Sequence, residues 1–160
     1  MAEHEIERHI KMTTKYRVIL CASIAINLFL CCQLITKNRE AKLYNESYFD
    51  HCISTAAEHL DVYISDSSQT SDYYLAAMYL HSAYTVSGTT SKKTTTSINR
   101  ELLNELPRYM ISRPEHAMPY ANEILEALRI IENSPIDAEL YRGYEMLRKT
   151  MSSILISYSQ

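Results

Sequence analysis

Turn-forming residues are scarce in this 160-residue chain, which contains two glycines, four prolines and no tryptophan. A β-sandwich or barrel needs turn signals about every 8 to 12 residues, so this scarcity excludes those folds. Two glycines also cannot build a glycine-rich phosphate-binding loop, and the motifs of serine hydrolases and zinc proteases are missing. We therefore expect a protein that is not an enzyme and uses no cofactor.

An excess of basic residues is also lacking, since 16 Lys and Arg stand against 19 Asp and Glu, for a net charge of −3. This balance predicts no nucleic-acid partner. The hydrophobic fraction of 46% is ordinary for a globular chain and excludes general disorder. Helical spacing predicts exposed ion pairs of Glu126 with Arg129 and of Glu145 with Arg148 or Lys149.

Cysteines are too few and too badly placed for a disulfide framework or a zinc site. Of the four, only Cys52 lies outside the apolar stretch described below, which holds Cys21, Cys31 and Cys32. The Cys52 thiol is therefore either packed in a helix or joined to a second chain by an intermolecular bridge.

His51 and Glu58 share a helix face but lie ~10 Å apart along the helix axis, so we interpret that face as solvated and expect no metal site.

One stretch is apolar without interruption: residues 18–36 read VILCASIAINLFLCCQLIT and carry no charge. As a helix it would measure ~28 Å, close to the ~30 Å hydrocarbon core of a bilayer, with all its backbone polar groups bonded internally. Ser23 and Asn27 lie one turn apart in it, and an amide in hydrocarbon favours a partner on a neighbouring helix. We predict a transmembrane helix over 18–36 with Ser23 and Asn27 as its helix-contact residues.

Two alternatives to an uncleaved signal anchor are a buried helix of a soluble core and a cleaved signal peptide. Leu34 and Thr36 stand where a signal peptidase requires small residues, which disfavours cleavage. The tail over 1–17 carries four basic residues before the apolar segment, and three basic residues follow that segment. The positive-inside rule then predicts a cell-membrane protein with a cytoplasmic N-terminus and an extracytoplasmic domain over 37–160.

The domain over 37–160 shows apolar residues at the 3- and 4-residue spacing of helices. The clearest stripes are Phe49, Ile53, Ala56, Leu60 and Tyr63; Tyr73, Ala77, Leu80 and Tyr84; Ala121, Leu125, Leu128 and Ile131; and Leu140, Tyr144, Leu147, Met151 and Ile154. They predict an all-α fold, in which a single N-terminal transmembrane helix precedes an antiparallel bundle of four to five helices.

Local signals mark the ends of these helices. We predict a left-handed helix cap at Gly88, a flexible loop over 87–97 (SGTTSKKTTTS), and a bend or end of the third helix at Pro107. Ser134 followed by Pro135 is typical of the start of the last helix.

Tyrosine is the unusually frequent residue, with 13 copies. Its apolar ring and polar hydroxyl suit recognition surfaces, and Tyr74, Tyr79 and the neighbouring His81 form our candidate interaction patch. The alternative is that these rings lie at the boundary of the bundle and bond to water.

Taken with the missing catalytic motifs, these patterns favour a non-catalytic, single-pass membrane protein that mediates protein–protein interaction or assembly. Its expected partners are the lipid bilayer and either copies of itself or another membrane protein. One alternative is an extracytoplasmic ligand-sensing bundle, although a 17-residue tail leaves no room for an output domain. A second is a small membrane-tethered enzyme, for which no residue set presents itself.

Overall fold

The computed structural model describes residues 2–90, 97–134 and 137–159, and for 2–15, 97–98 and 137 it describes the backbone alone. In this part of the chain nearly every residue is helical and no strand is present, which confirms the predicted all-α class. The helices are α1 (Ala2–Ser65), α2 (Thr70–Ser87), α3 (Ser97–Ser112), the single turn α4 (Pro114–Ala117), α5 (Ala121–Asn133) and α6 (Asp137–Tyr158), with a 3₁₀ turn over Met118–Tyr120.

The chain divides into two compact units, Met1–Ala41 and Lys42–Gln160, and α1 contributes to both. The first unit consists of the N-terminal part of α1. We refer to the second unit as the body. The stripe of Phe49, Ile53, Ala56, Leu60 and Tyr63 thus lies on the C-terminal part of one 64-residue helix.

The body has one hydrophobic core to which each of its longer helices contributes. The predicted stripes supply most of it: Phe49, Ile53, Ala56 and Leu60 from α1 are at most 1% exposed. Tyr73 and Tyr144 are the largest fully buried side chains, and burial raises the pKa of both phenols.

Residues 66–69 form the turn between α1 and α2. The Asp66 carboxylate accepts hydrogen bonds from the Ser68 hydroxyl at 2.7 Å and from the Ser68 backbone N–H at 3.1 Å. Both bonds favour the charged carboxylate and hold the pKa of Asp66 below its ordinary value. Local side-chain bonding thus shapes this turn.

Two predicted helix ends differ in the structure. Gly88 has a φ of −70°, so the left-handed cap is wrong; a Cβ at Gly88 would lie 3.0 Å from Cζ of Arg100, whose guanidinium stacks over the Tyr84 ring. Pro107 lies inside α3, which continues to Ser112, so the predicted end at the proline is wrong; beyond it Met110 is packed in the core.

Two further predictions fall partly outside the described residues. Of the predicted loop over 87–97, Ser87 still belongs to α2, and residues 91–96 are not described. At the start of the last helix, Pro135 and Ile136 are not described, and the Ser134 hydroxyl donates to the Ile130 carbonyl of the preceding helix.

A close approach joins α5 and α6. A Cβ added to Gly143 would lie 2.6 Å from Cγ1 of Ile131 and 3.2 Å from the backbone oxygen of Ala127. Only a residue without a side chain lets the two helices pack at this distance.

The end of α6 has its own contacts, since Tyr158 lies beneath the Arg113 guanidinium at 5.0 Å and contacts the His116 ring.

Candidate functional site

The apolar surface of α1 is the most unusual feature of the molecule. Among the described residues, one helix is long and apolar enough to cross a membrane; its most apolar 18 residues have a mean hydropathy of 2.4, and none of them is buried. Phe29 is 63% exposed and Leu34 68%. In water such a surface would be strongly unfavourable, since each Å² of apolar area costs about 25 cal/mol.

Ser23 and Asn27 are both exposed within this surface. Within the part of the chain that the structure describes, neither side chain has a hydrogen-bond partner. Thr36 differs, because its hydroxyl donates to the Cys32 carbonyl at 2.9 Å and is satisfied on its own helix. Asn27 lies at the centre of the 18–36 segment, and the amide of Gln33 lies nearer its end. In hydrocarbon an unpaired amide at the centre would be costly.

The predicted patch of Tyr74, Tyr79 and His81 does not form one surface. Tyr74 and His81 are exposed on the outer side of α2, whereas Tyr79 is half-buried against the core. The Tyr79 ring stacks on His59 of α1 at 5.6 Å and meets the His51 ring edge-on. Tyr79 thus connects α1 with α2, whereas Tyr74 and His81 are open to solvent; the interaction role of the three residues stays a prediction.

The outer side of α2 carries two apolar residues that the sequence analysis missed, Leu75 and Met78, which are 38% and 59% exposed. They lie one and four positions after Tyr74 and do not belong to the buried stripe of Tyr73, Ala77 and Leu80. The sequence carries a signal for them, because large apolar residues outside the core stripe of a helix indicate an exposed apolar patch.

A histidine–carboxylate pair joins the same two helices. The His59 Nδ1 atom lies 2.7 Å from Oδ1 of Asp72, and both side chains are mostly shielded from water. A carboxylate in this position fixes the orientation of a histidine ring, an arrangement used in catalysis when a nucleophile adjoins it. The Tyr79 ring covers His59, and the pair serves to hold α1 against α2.

The remaining titratable groups do not gather into a cluster in the part of the chain that the structure describes. Among the described residues, no group of three or more His, Cys, Asp or Glu side chains is placed to bind a metal ion. Cys52 is fully buried, its pKa is raised by burial, and its neighbour Tyr48 hydrogen-bonds to it. Its thiol is thus out of reach of a second chain, and the intermolecular bridge that we considered gives way to a packed thiol.

A groove of about 410 Å³ lies between α5 and α6 and is open to solvent. Leu125 and Ile130 provide apolar area, and four charged and three polar side chains surround them: Asn122, Glu126, Arg129, Asn133, Ser134, Glu139 and Arg142.

Of the predicted ion pairs, that of Glu126 with Arg129 does not form, because Arg129 pairs with Asp61 of α1 at 2.9 Å. The predicted pair of Glu145 and Arg148 forms.

Comparisons of this chain with known protein families, with curated proteins and with solved structures find no match.

Proposed function

We propose that this chain is a non-catalytic, single-pass membrane protein whose helical body mediates protein–protein assembly at the bilayer. The segment over 18–36 spans the membrane, and the domain over 37–160, which includes the body, is an antiparallel helix bundle. The observation that carries the proposal is the exposed apolar surface of α1, none of which is buried by the fold. Lipid supplies the apolar surroundings that this surface lacks.

Charge sets the proposed orientation. Four basic residues lie before the span (Arg8, Lys11, Lys15 and Arg17) and three after it (Lys37, Arg39 and Lys42). The positive-inside rule then favours a cytoplasmic N-terminus and an extracytoplasmic body. Acidic residues in the tail weigh little in this rule.

Two surfaces support assembly. In the span, Ser23 and Asn27 offer hydrogen bonds to a neighbouring helix. On the body, the outer side of α2 exposes Tyr74 beside Leu75 and Met78, a mixed aromatic and aliphatic surface of the kind that protein interfaces favour. Because a membrane tether confines both surfaces to a thin layer, even weak contacts are populated there.

The groove between α5 and α6 favours a second function, the sensing of a small ligand. It is a concave surface in which two apolar side chains lie among arginine, glutamate and asparagine side chains that offer hydrogen bonds to a polar ligand. A ligand that binds there would raise the melting temperature of the full chain in a metabolite screen, and substitution of Arg142 would remove that shift.

Chemical cross-linking in native membranes tests the assembly function. We expect a dimer or a defined complex with another membrane protein, and we expect Asn27→Leu to reduce it by about three-fold or more, because an interhelical hydrogen bond in lipid contributes about 0.6 to 2 kcal/mol. Thr36→Val is the matched control: it also removes a polar group from the span, but one already bonded within its own helix. A chain that remains monomeric throughout contradicts the proposal.

A further inference from the structure

One face of the apolar part of α1 repeats with the spacing of a coiled coil. Leu20, Ser23, Asn27, Leu30 and Leu34 follow each other at intervals of 3, 4, 3 and 4 residues, and all five are exposed. Residues at this spacing form one narrow stripe along a helix. Successive residues of a helix are rotated by about 100°. This rotation places Cys21, Ala25, Phe29 and Cys32 on the opposite side of the helix from the stripe.

Asn27 occupies an informative position in this stripe. Leu20 and Leu34 lie seven residues before and after Asn27, so all three occupy the same position of the heptad repeat. Ser23 and Leu30 occupy the other core position. In two-stranded parallel coiled coils a single asparagine at a core position of the heptad specifies the register and the number of strands. The flanking leucines then pack across the axis above and below the amide.

The amide of Asn27 also indicates what kind of partner it needs. It has no hydrogen-bond partner within the described residues, and in hydrocarbon an unpaired amide is unfavourable. An amide both donates and accepts, so it is complementary to itself. Copies of one chain that enter a membrane in the same orientation place their Asn27 side chains at the same depth, so a second copy meets this need without any further residue.

We infer that two copies of this chain form a parallel, two-fold symmetric pair through the stripe of Leu20, Ser23, Asn27, Leu30 and Leu34, with the Asn27 amides hydrogen-bonded to each other near the axis. This inference rests on the proposed membrane span. It goes further by naming the partner, its orientation and the face in contact. Phe29 and Cys32 face lipid in such a pair.

Site-specific disulfide cross-linking in native membranes tests the face. The parent is the full chain with Cys21, Cys31 and Cys32 replaced by alanine; it keeps the buried Cys52 and sets the background. Leu30→Cys in this parent places a thiol on the stripe, and restoring Cys32 alone places one on the opposite side. A disulfide requires Cα atoms within about 7 Å, so we expect at least about ten-fold faster dimer formation through Leu30→Cys.

The role of the amide is tested in the same assay. Asn27→Leu added to the Leu30→Cys chain is expected to slow cross-linking by about three-fold or more, whereas Asn27→Gln, which keeps an amide, is expected to restore most of the rate. Thr36→Val again serves as the control and should leave the rate unchanged.

The outcomes that overturn the inference are distinct from those that overturn the proposed function. Equal rates of cross-linking at positions 30 and 32 indicate random collision of the chains. If the chain forms a complex with a different membrane protein and no homodimer, the stripe contacts that other protein. Either result contradicts the symmetric pair but leaves a membrane-anchored assembly protein. A chain that alkaline washing removes from the membrane contradicts both.

Discussion

Phe49→Ala is expected to lower the free energy of unfolding of the body by about 3 to 5 kcal/mol. Phe49 is 1% exposed and belongs to the core beside Cys52 and Ile53. Removing a fully buried aromatic ring loses its transfer free energy and leaves a cavity that neighbouring side chains fill only in part. The loss is a large fraction of the about 5 to 15 kcal/mol by which native proteins are stable, so the variant is expected to unfold at a much lower urea concentration.

The matched control is Phe29→Ala, which alters the only other phenylalanine of the chain. Phe29 lies on the same helix but is 63% exposed, so its loss should change the stability of the body by less than about 0.5 kcal/mol. Urea unfolding of the full chain in detergent, followed by tyrosine near-ultraviolet circular dichroism, measures the difference. Of the 13 tyrosines only Tyr16 lies outside the body, so the signal reports on the body. Equal effects of the two substitutions would contradict the division between core and apolar surface.

Gly143→Ala is expected to destabilise the body by about 1 to 2 kcal/mol. In an exposed helix interior the same change stabilises by about 1 kcal/mol, because glycine is a poor helix former. Here the new Cβ would lie 2.6 Å from Cγ1 of the buried Ile131, which forces α5 and α6 apart, and such overpacking costs about 1 to 3 kcal/mol. The steric cost exceeds the gain in helix propensity.

Two further variants isolate the cause. In an Ile131→Ala background, which removes the contacted carbon, Gly143→Ala should become neutral or stabilising, and a double-mutant cycle measures this coupling. Gly88→Ala is the control at the other glycine, because its Cβ would meet only the mobile end of Arg100. It should change the free energy of unfolding by less than about 0.5 kcal/mol. A stabilising effect of Gly143→Ala in the wild-type background would show that the helices do not approach so closely.

The sequence pattern predicts the core of this fold well because periodicity is a local property. The stripes of α1, α2 and α5 name residues that are buried in the structure, such as Ile53, Leu80 and Leu128. Each helix buries its apolar face whichever neighbour covers it, so no knowledge of the neighbour is needed. The apolar segment of α1 is detectable for the same reason.

Contacts between distant segments are not local and were missed. Asp61 and Arg129 are 68 positions apart, and nothing in the sequence favours this pair over the nearby Glu126. Tyr79 turns inward because His59 of another helix offers it a stacking surface. Gly143 reads in the sequence as a weak helix former, and only the position of Ile131 shows why a side chain is excluded there.

Fractionation of the full chain is the most direct test of the membrane span. Membranes that contain the wild-type chain are washed at high pH, and a variant with Ile24→Arg and Leu28→Arg is treated in parallel. Each arginine near the centre of a span costs about 2.5 to 3.5 kcal/mol of insertion free energy. The wild-type chain is predicted to remain in the membrane pellet and the variant to shift into the supernatant. Recovery of the wild-type chain as a water-soluble monomer would contradict the membrane anchor and the function proposed from it.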